Sequence, residues 1–320
     1  MRIKIIVMIF IIISNLVCNY EHTEYIAVND GKQVHLLNIR GIIQRTISLP
    51  VKIEYDFYLN NKYIYFYGED KKLHAFNWRK NKEMNIPSGP FYFKFKAKNY
   101  GPEVYHEITA SDNNNYIGIL ITPEYFDSFG DPNEFKDYYY YNEMLEDSRV
   151  GIINIKKKFF SLLPLQNGEY HNLILQDKSL IGSNGGLFIY NIKNNNIYYI
   201  YTITASTEKP KNALILGKYS NEIIYAFTDY KQEEEKIYKI NRWDIKNKIE
   251  KTIYNFDETN TGKEIFNISD PRSRISKDKQ KLAWVENDNV IVIYNLITNK
   301  KEIIYNANNN KIVRIQFYYE

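Results

Sequence analysis

Two histidines of the chain have neighbours that could take part in acid–base chemistry. His106 is followed by Glu107, and His171 lies near the start of a comparable strand-like run. Imidazole and carboxylate groups are common proton donors and acceptors in enzymes, and an arginine such as Arg272 could hold an anionic substrate. These four residues are therefore the candidates for a hydrolase or lyase site.

Other catalytic signatures are absent from the sequence. There is no Gly-x-Ser-x-Gly nucleophile elbow, phosphate-binding loop, zinc-ligand pattern or EF-hand spacing. The glycines within 182–186 are expected to serve the geometry of a turn. His35 and His74 fall in strand-like runs, where we expect them to be packing residues rather than ligands. The sequence thus predicts no cofactor and no metal site.

A second group of residues suggests binding rather than catalysis. The segment 124–147 has eight acidic residues against one basic residue, Lys136, and is rich in aromatic side chains. Acidic charge can steer a partner, and tyrosines offer a large contact area with a polar end. The candidate binding residues in this insertion are Tyr125, Phe126, Phe129, Tyr138, Tyr139, Tyr140 and Tyr141.

A repeated phrase shows which elements must position these residues. The phrase is an apolar residue, then Asn or Asp, then an apolar residue, and a polar turn follows it. Its six copies are centred on Asn38, Asn77, Asn154, Asn191, Asp244 and Asn295. Asn and Asp suit a turn because their side chains bond nearby backbone N–H groups. Strand-like runs flank every copy, so the repeat predicts a unit of four short strands, A to D.

Six such units predict an all-β, six-bladed β-propeller with four-stranded blades. The first unit lacks strand A, whereas the chain ends in an unaccompanied strand-like run. Pairing that run with the first unit closes the ring and leaves no exposed edge. The predicted blades are 311–320 with 24–49, then 52–87, 104–164, 169–202, 212–255 and 268–306. An unplaced strand at Phe91–Lys96 leaves a seven-bladed alternative open, and an open sandwich is a further alternative.

One blade carries a resemblance to a known family. It reads Ser269-Asp270-Pro271, then 276–284 as SKDKQKLAW, then Val290–Leu296. This resembles the repeat of TolB-like propellers, and Trp243-Asp244 falls where WD repeats have their own Trp-Asp pair. The resemblance implies a propeller fold, which supports many functions.

The propeller topology predicts where the charged residues lie. The A strands would line a central channel, and the charged residues on or beside them are Glu54, Asp56, Glu107, Arg272, Arg274 and Arg314. Such a channel could hold a metal ion or an anion, but we expect these side chains to be solvated. The B–C loops would carry the acidic insertion on one face, and the A–B and C–D turns would place lysines on the other.

The N-terminal residues differ from the rest of the chain. A basic start and the apolar run Ile5–Ile13 predict a signal peptide at 1–19, with an uncleaved membrane anchor as the alternative. Cys18, the only cysteine, is either a lipidation site or lost with the signal. We therefore expect an exported protein, either in the periplasm or cell envelope or secreted. In this case residues 20–320 form the propeller.

The charge balance excludes one class of partner. The chain of 320 residues has 42 basic and 38 acidic side chains, a net charge of +4, so it is not expected to bind nucleic acid. We predict a monomer that binds a protein or an extracellular ligand as a scaffold, through the acidic, tyrosine-rich face. It would contact a membrane only through a lipid at Cys18 and the basic turns. The alternative is the hydrolase or lyase described above, with its site at the channel mouth.

Overall fold

The fold consists of β-strands throughout the part of the chain that can be described. The computed structural model describes residues 24–88, 100–111, 113–125, 149–165, 171–176, 178–184, 186–201, 211–219, 221–231, 234–255, 274–308, 312 and 314–319. The first twelve strands are β1 (Glu24–Asp30), β2 (Gln33–Leu37), β3 (Ile43–Ser48), β4 (Ile53–Leu59), β5 (Tyr63–Gly68), β6 (Leu73–Asn77), β7 (Lys82–Glu83), β8 (Tyr100–Ala110), β9 (Tyr116–Tyr125), β10 (Arg149–Asn154), β11 (Phe159–Leu162) and β12 (His171–Gln176). The others are β13 (Ser179–Asn184), β14 (Gly186–Asn191), β15 (Asn196–Tyr201), β16 (Lys211–Tyr219), β17 (Glu222–Lys231), β18 (Glu234–Asp244), β19 (Ile249–Asn255), β20 (Arg274–Ile275), β21 (Lys281–Glu286), β22 (Val290–Asn295), β23 (Lys300–Asn306) and β24 (Ile315–Tyr319).

These strands form six antiparallel, four-stranded sheets, the blades of a propeller. Blade 1 has the order β24-β1-β2-β3, and blades 2 to 6 each use four consecutive strands. The innermost strands β24, β4, β8, β12, β16 and β20 each contact the next one around the ring. The six-bladed, all-β prediction is confirmed for the described residues. The segment Phe91–Lys96, on which the seven-bladed alternative depended, lies outside them.

The C-terminal strand closes the ring, as the sequence predicts. β24 pairs with β1 from Val28 opposite Ile315 to Glu24 opposite Tyr319. The last strand of the chain therefore supplies strand A of the first blade, and β1 gains a partner on a side that would otherwise be an open edge.

The hydrophobic core lies between the blades. Each of six buried clusters combines side chains from two adjacent sheets: Leu36 packs with Phe57 between blades 1 and 2, and Leu120 with Phe188 between blades 3 and 4. The cluster that joins blades 6 and 1 includes Ile26 and Ile291. Since every blade packs on both faces, its strands carry consecutive apolar residues instead of alternating ones.

The repeated Asn or Asp forms the C–D turn in every blade. Its side-chain oxygen accepts a backbone N–H two to four residues later in all six copies. In blade 3, for example, Asn154 Oδ1 accepts from Lys157 N at 3.0 Å. In blades 2 to 6 the residue four positions after it has a positive φ, as at Lys158 and Asn299. These turns, together with the A–B turns, lie at one end of the sheets, which we name the turn face.

In the C–D turn of blade 1 the residue with a positive φ is a glycine, three positions after Asn38. Gly41 has a φ of +78°, and a Cβ there would overlap the backbone carbonyl of Ile304 in blade 6. Gly41→Ala is therefore expected to lower the free energy of unfolding by about 2–4 kcal/mol, from the left-handed backbone and the overlap together.

A matched control is Gly31→Ala. Gly31 has a φ of +61° but nothing within 4 Å of the added Cβ, so it should cost only about 1 kcal/mol. Urea unfolding of both variants measures the difference. Equal losses would show that the contact with Ile304 does not matter.

No helix long and apolar enough to cross a membrane occurs among the residues that the structure describes. The predicted signal peptide, the lipidation site Cys18 and the apolar run before Glu24 lie outside them.

Candidate functional site

The central channel contains a buried ion pair. Asp56 is only 3% exposed, and its carboxylate accepts hydrogen bonds from Phe57 N and Ile108 N at 2.8 Å each. The guanidinium of Arg314, also buried, donates Nη1 to the same carboxylate. These contacts connect blades 1, 2 and 3, because Arg314 precedes β24, Asp56 lies on β4 and Ile108 lies on β8. A buried charge needs such partners, since losing hydration is costly.

Similar bonds connect other blades. Glu107 Oε2 accepts from Leu173 N at 2.8 Å, and Thr109 Oγ1 accepts from Leu175 N at 3.0 Å. Both pairs join β8 of blade 3 to β12 of blade 4. An inner strand has no further strand to pair with on the channel side, so its buried backbone N–H groups need other acceptors. Side chains of the preceding inner strand supply them.

Gln316 connects blade 1 to blade 2 both as a hydrogen-bond acceptor and as a donor. Its amide oxygen accepts from Leu59 N at 2.9 Å, and its amide nitrogen donates to Leu59 O at 2.8 Å. Blade 1 is thus bonded to blade 2 by a side chain of the closing strand. The polar side chains of these inner strands hold the ring together.

An open cavity of about 550 Å³ lies in the half of the channel that ends at the turn face. It is lined by the aromatic and aliphatic side chains of five inner strands and by the A–B turns. The polar and charged lining residues are Tyr58, Asn60, Asn61, Lys218, Tyr219, Lys277, Arg314, Gln316, Tyr318 and Tyr319. No carboxylate belongs to this described lining, so the cavity suits a neutral or anionic ligand.

Two tyrosines line this cavity at the turn face, and one of them bonds to a glutamate outside the lining. Tyr319 donates its hydroxyl to Glu24 Oε1 at 2.7 Å, and its ring packs edge-on against Tyr219 with centroids 5.9 Å apart. Lys277 Nζ lies 5.4 Å from the centroid of Tyr319. Burial raises the pKa of Tyr319, and the adjacent Tyr219 and Glu24 raise it further. The phenol therefore stays protonated and acts as a hydrogen-bond donor at neutral pH.

The predicted catalytic residues are only partly described. Glu107 is buried and engaged with blade 4. For His106 and His171 the structure describes the strands β8 and β12 and not the side chains, and Arg272 lies outside the described residues. Whether the two histidines converge therefore stays a prediction. Among the described side chains there is no group of three or more that could hold a metal ion.

The other charged residues of the predicted channel differ in how far they are exposed to solvent. Glu54 is partly exposed and pairs with Lys71 at 2.8 Å, in agreement with the solvated lining that we expect from sequence. For Asp56 and Arg314 the solvated expectation is wrong, because both are buried and paired. Arg274 begins β20, and its side chain is not described.

The two histidines predicted to be packing residues are confirmed as such. His35 is 7% exposed, with Nδ1 at 3.0 Å from Thr46 Oγ1. His74 is 9% exposed and lies between Asp70 and Glu83, with Nε2 at 2.9 Å from Asp70 Oδ1. Burial acts to raise the pKa of Asp70, but its hydrogen bond with His74 and further electrostatic and backbone interactions lower it overall.

The residues of the acidic insertion lie almost entirely outside the described part. Tyr125 ends β9, and Phe126, Phe129 and Tyr138–Tyr141 are not described.

Sequence reasoning missed the residues that join the blades. Thr109 and Gln316 were not among the candidates, although both stand two positions from a charged residue of the same inner run, Glu107 and Arg314 respectively. In a strand, residues two apart share a face. A polar pair with this spacing in an otherwise apolar run is the signal that could have revealed them.

The fold and the side-chain bonds between its inner strands define a closed, six-bladed β-propeller. Solved structures with a similar fold include an oligogalacturonate lyase in complex with manganese, with a TM-score of 0.53 and 9% sequence identity over 86% of this chain and 70% of the other. Oligogalacturonate lyase from Vibrio parahaemolyticus aligns with a TM-score of 0.51 and 9% identity, over 90% of this chain and 83% of that one. At this identity the likeness concerns the fold alone.

Comparison by sequence finds no match. No protein-family model matches the chain, and the search of curated proteins returned no match. The propeller class is therefore supported by the structure, whereas the resemblance to TolB-like and WD repeats stays a prediction.

Proposed function

We propose that the chain is an exported binding propeller, a rigid scaffold in the cell envelope that presents its acidic, tyrosine-rich segment 124–147 to a protein or extracellular ligand. One observation carries the proposal: Asp56, Glu107 and Arg314, charged groups of the inner strands, bond to neighbouring blades. These groups hold the scaffold rigid. Rigidity suits a surface that presents contact residues, since less ordering is needed on binding.

The strands that flank the insertion support its placement. β9 and β10 pair antiparallel from Asn154 opposite Tyr116 to Arg149 opposite Ile121. The C–D turn of this blade follows Asn154, so the residues between Tyr125 and Arg149 join the strands at the opposite end of the sheet. This pairing supports the proposal that the insertion is presented on the face opposite the turn face.

The charge distribution also supports an acidic binding surface. Counted from the repeated Asn or Asp to the first residue of strand D, the six C–D turns contain eleven basic residues and one carboxylate, Asp244. The whole chain has 42 basic and 38 acidic residues, so the remainder of the protein is net negative. An acidic face with tyrosines favours a partner that is cationic at its contact surface.

Replacing residues 126–146 with a short Gly-Ser linker is expected to leave the melting temperature unchanged and to abolish partner capture from the native envelope. β9 and β10 keep all their cross-strand partners in this variant, so the scaffold should persist. The measurement is affinity capture with full-length and shortened protein, together with thermal unfolding.

The control changes Lys156, Lys157 and Lys158 on the turn face to Gln. It should retain capture, because these lysines lie on the opposite face. Loss of folding in the shortened chain would mean that the aromatic residues pack into the domain, which contradicts their role in recognition.

A second candidate is a propeller hydrolase or lyase with a site at the channel mouth built from His106, Glu107, His171 and Arg272. The fold shared with oligogalacturonate lyases favours it, but none of these four residues belongs to the described lining of the 550 Å³ cavity. The bond from Leu173 N to Glu107 counts against a free acid or base at that position. Incubation with oligogalacturonate tests this candidate, because a lyase would form an unsaturated product that absorbs in the ultraviolet. Turnover lost in both His106→Ala and His171→Ala would replace the binding proposal.

A further inference from the structure

The C–D turns expose apolar side chains among their cations. Ile39, Ile42, Phe159, Ile249 and Ile297 are 41%, 56%, 60%, 60% and 66% exposed. Ile197 in blade 4 is 41% exposed and is the second residue of β15, so five of the six blades present a large apolar residue in the C–D turn or directly after it. Single exposed apolar residues are common on proteins, but here they recur at the turn-face end of five blades, between one and six residues after the repeated Asn or Asp.

The exposed charges between these side chains are almost all positive. The basic residues of the six turns are Arg40, Arg79, Lys80, Lys82, Lys156, Lys157, Lys158, Lys193, Lys246, Lys248 and Lys300, all of them exposed. The one carboxylate within the turns, Asp244, accepts hydrogen bonds from the backbone N–H and the side-chain amide of Asn247 at 2.9 Å each, and these bonds lower its pKa. Glu83 and Glu250 follow directly in β7 and β19. The C–D turn of blade 2 does not expose its large apolar side chain. Its Trp78 is buried, and Arg45 and Arg79 lie over the ring.

The two chemistries together match one kind of surface. Cations attract anionic lipid headgroups, and apolar side chains enter the boundary between headgroups and acyl chains. Phosphates of a nucleic acid would use the cations but have no use for exposed isoleucines. We propose that the turn face binds the surface of an anionic lipid bilayer, with Ile39, Ile42, Phe159, Ile249 and Ile297 at the headgroup boundary. This role concerns the face opposite the proposed partner site.

The position of Glu24, where the described part of the chain begins, supports this occupant. Glu24 begins β1 opposite Tyr319, and Ile26 pairs with Leu37 beside the first C–D turn. Residues 1–23 therefore join the propeller on the turn face. They contain the apolar run Ile5–Ile13, and the ten residues between Ile13 and Glu24 span at most roughly 35 Å. A membrane segment or a lipid at Cys18 would hold this same face near the bilayer.

A fluorescent label tests which face touches the lipid. The full chain with Cys18→Ser carries one new cysteine, either Ile249→Cys on the turn face or Lys72→Cys in the B–C turn of blade 2 on the opposite face. Each is labelled with an environment-sensitive fluorophore and mixed with vesicles of phosphatidylcholine with or without phosphatidylglycerol. Only the label at 249 should shift to shorter wavelength and be quenched by brominated lipid, and only with phosphatidylglycerol present.

Charge variants of the labelled protein test the electrostatic part. Changing Lys156, Lys157 and Lys158 to Gln should weaken the response at 249 roughly 10- to 100-fold in lipid concentration. The matched control changes Lys32, Lys52 and Lys72 on the opposite face to Gln and should leave the response unchanged.

Three outcomes would overturn the proposal. They are no response at position 249, equal responses at both labelled positions, and a tighter response to a DNA duplex than to anionic vesicles.

Discussion

A chain that ends at Asn310 is expected to aggregate instead of forming a soluble propeller. It lacks β24, whose backbone pairs with β1 and whose Ile315, Phe317 and Tyr318 are buried between blades. It also loses Gln316, which bonds to blade 2. β1 would still pair with β2, but its other edge would be open, and the apolar side chains that pack against β24 would be exposed to solvent. The measurement is the soluble fraction on expression, with size-exclusion chromatography of whatever remains soluble.

The control for this truncation removes Glu320 alone and keeps every residue of β24. It should behave as the full chain. A soluble monomer that ends at Asn310 and melts at the temperature of the full chain would show that closure by β24 contributes nothing to stability.

Asp56→Asn should be among the most destabilising single substitutions, by about 3–5 kcal/mol. The change removes the negative charge that pairs with the buried Arg314 and puts an amide group beside that guanidinium. Two backbone N–H groups, of Phe57 and Ile108, also depend on this carboxylate. Equilibrium unfolding in urea gives the loss directly.

Glu54→Gln is the matched control, because Glu54 lies two residues away on the same strand. Its pair with Lys71 is partly exposed to solvent, so the variant should lose less than about 1 kcal/mol. The double variant Asp56→Leu, Arg314→Met should recover part of the loss, since it leaves no unpaired charge. Similar stability of the Asp56 and Glu54 variants would mean that the buried pair is not needed for the ring.

The blades could be predicted from sequence because their signals are local. The repeated Asn or Asp determines the turn through hydrogen bonds that span only two to four residues, as with Asn154 and Lys157. Closure by the C-terminal strand could also be predicted. The first unit lacks strand A, and the C-terminal strand belongs to no other unit, so pairing the two completes the blade.

The bonds between blades could not be predicted in the same way. Asp56 meets Ile108 across 52 residues and Arg314 across 258, and nothing local distinguishes such a carboxylate from a solvated one. Glu54 and Asp56 stand two residues apart on one strand, yet Glu54 is partly exposed and Asp56 is buried. That difference depends on how adjacent blades pack, which the repeat pattern does not encode.

The paired ends of the ring have a consequence for the order of the blades along the chain. Tyr319 and Glu24 face each other across a register that a short hairpin could connect, as Tyr219 and Glu222 are connected in blade 5. A circular permutant with such a link in place of residues 1–23 could be opened at the blade 5 hairpin and still contain every strand pair and every bond between blades. The strand pairing and the bonds between blades therefore do not by themselves determine which blade comes first along the chain.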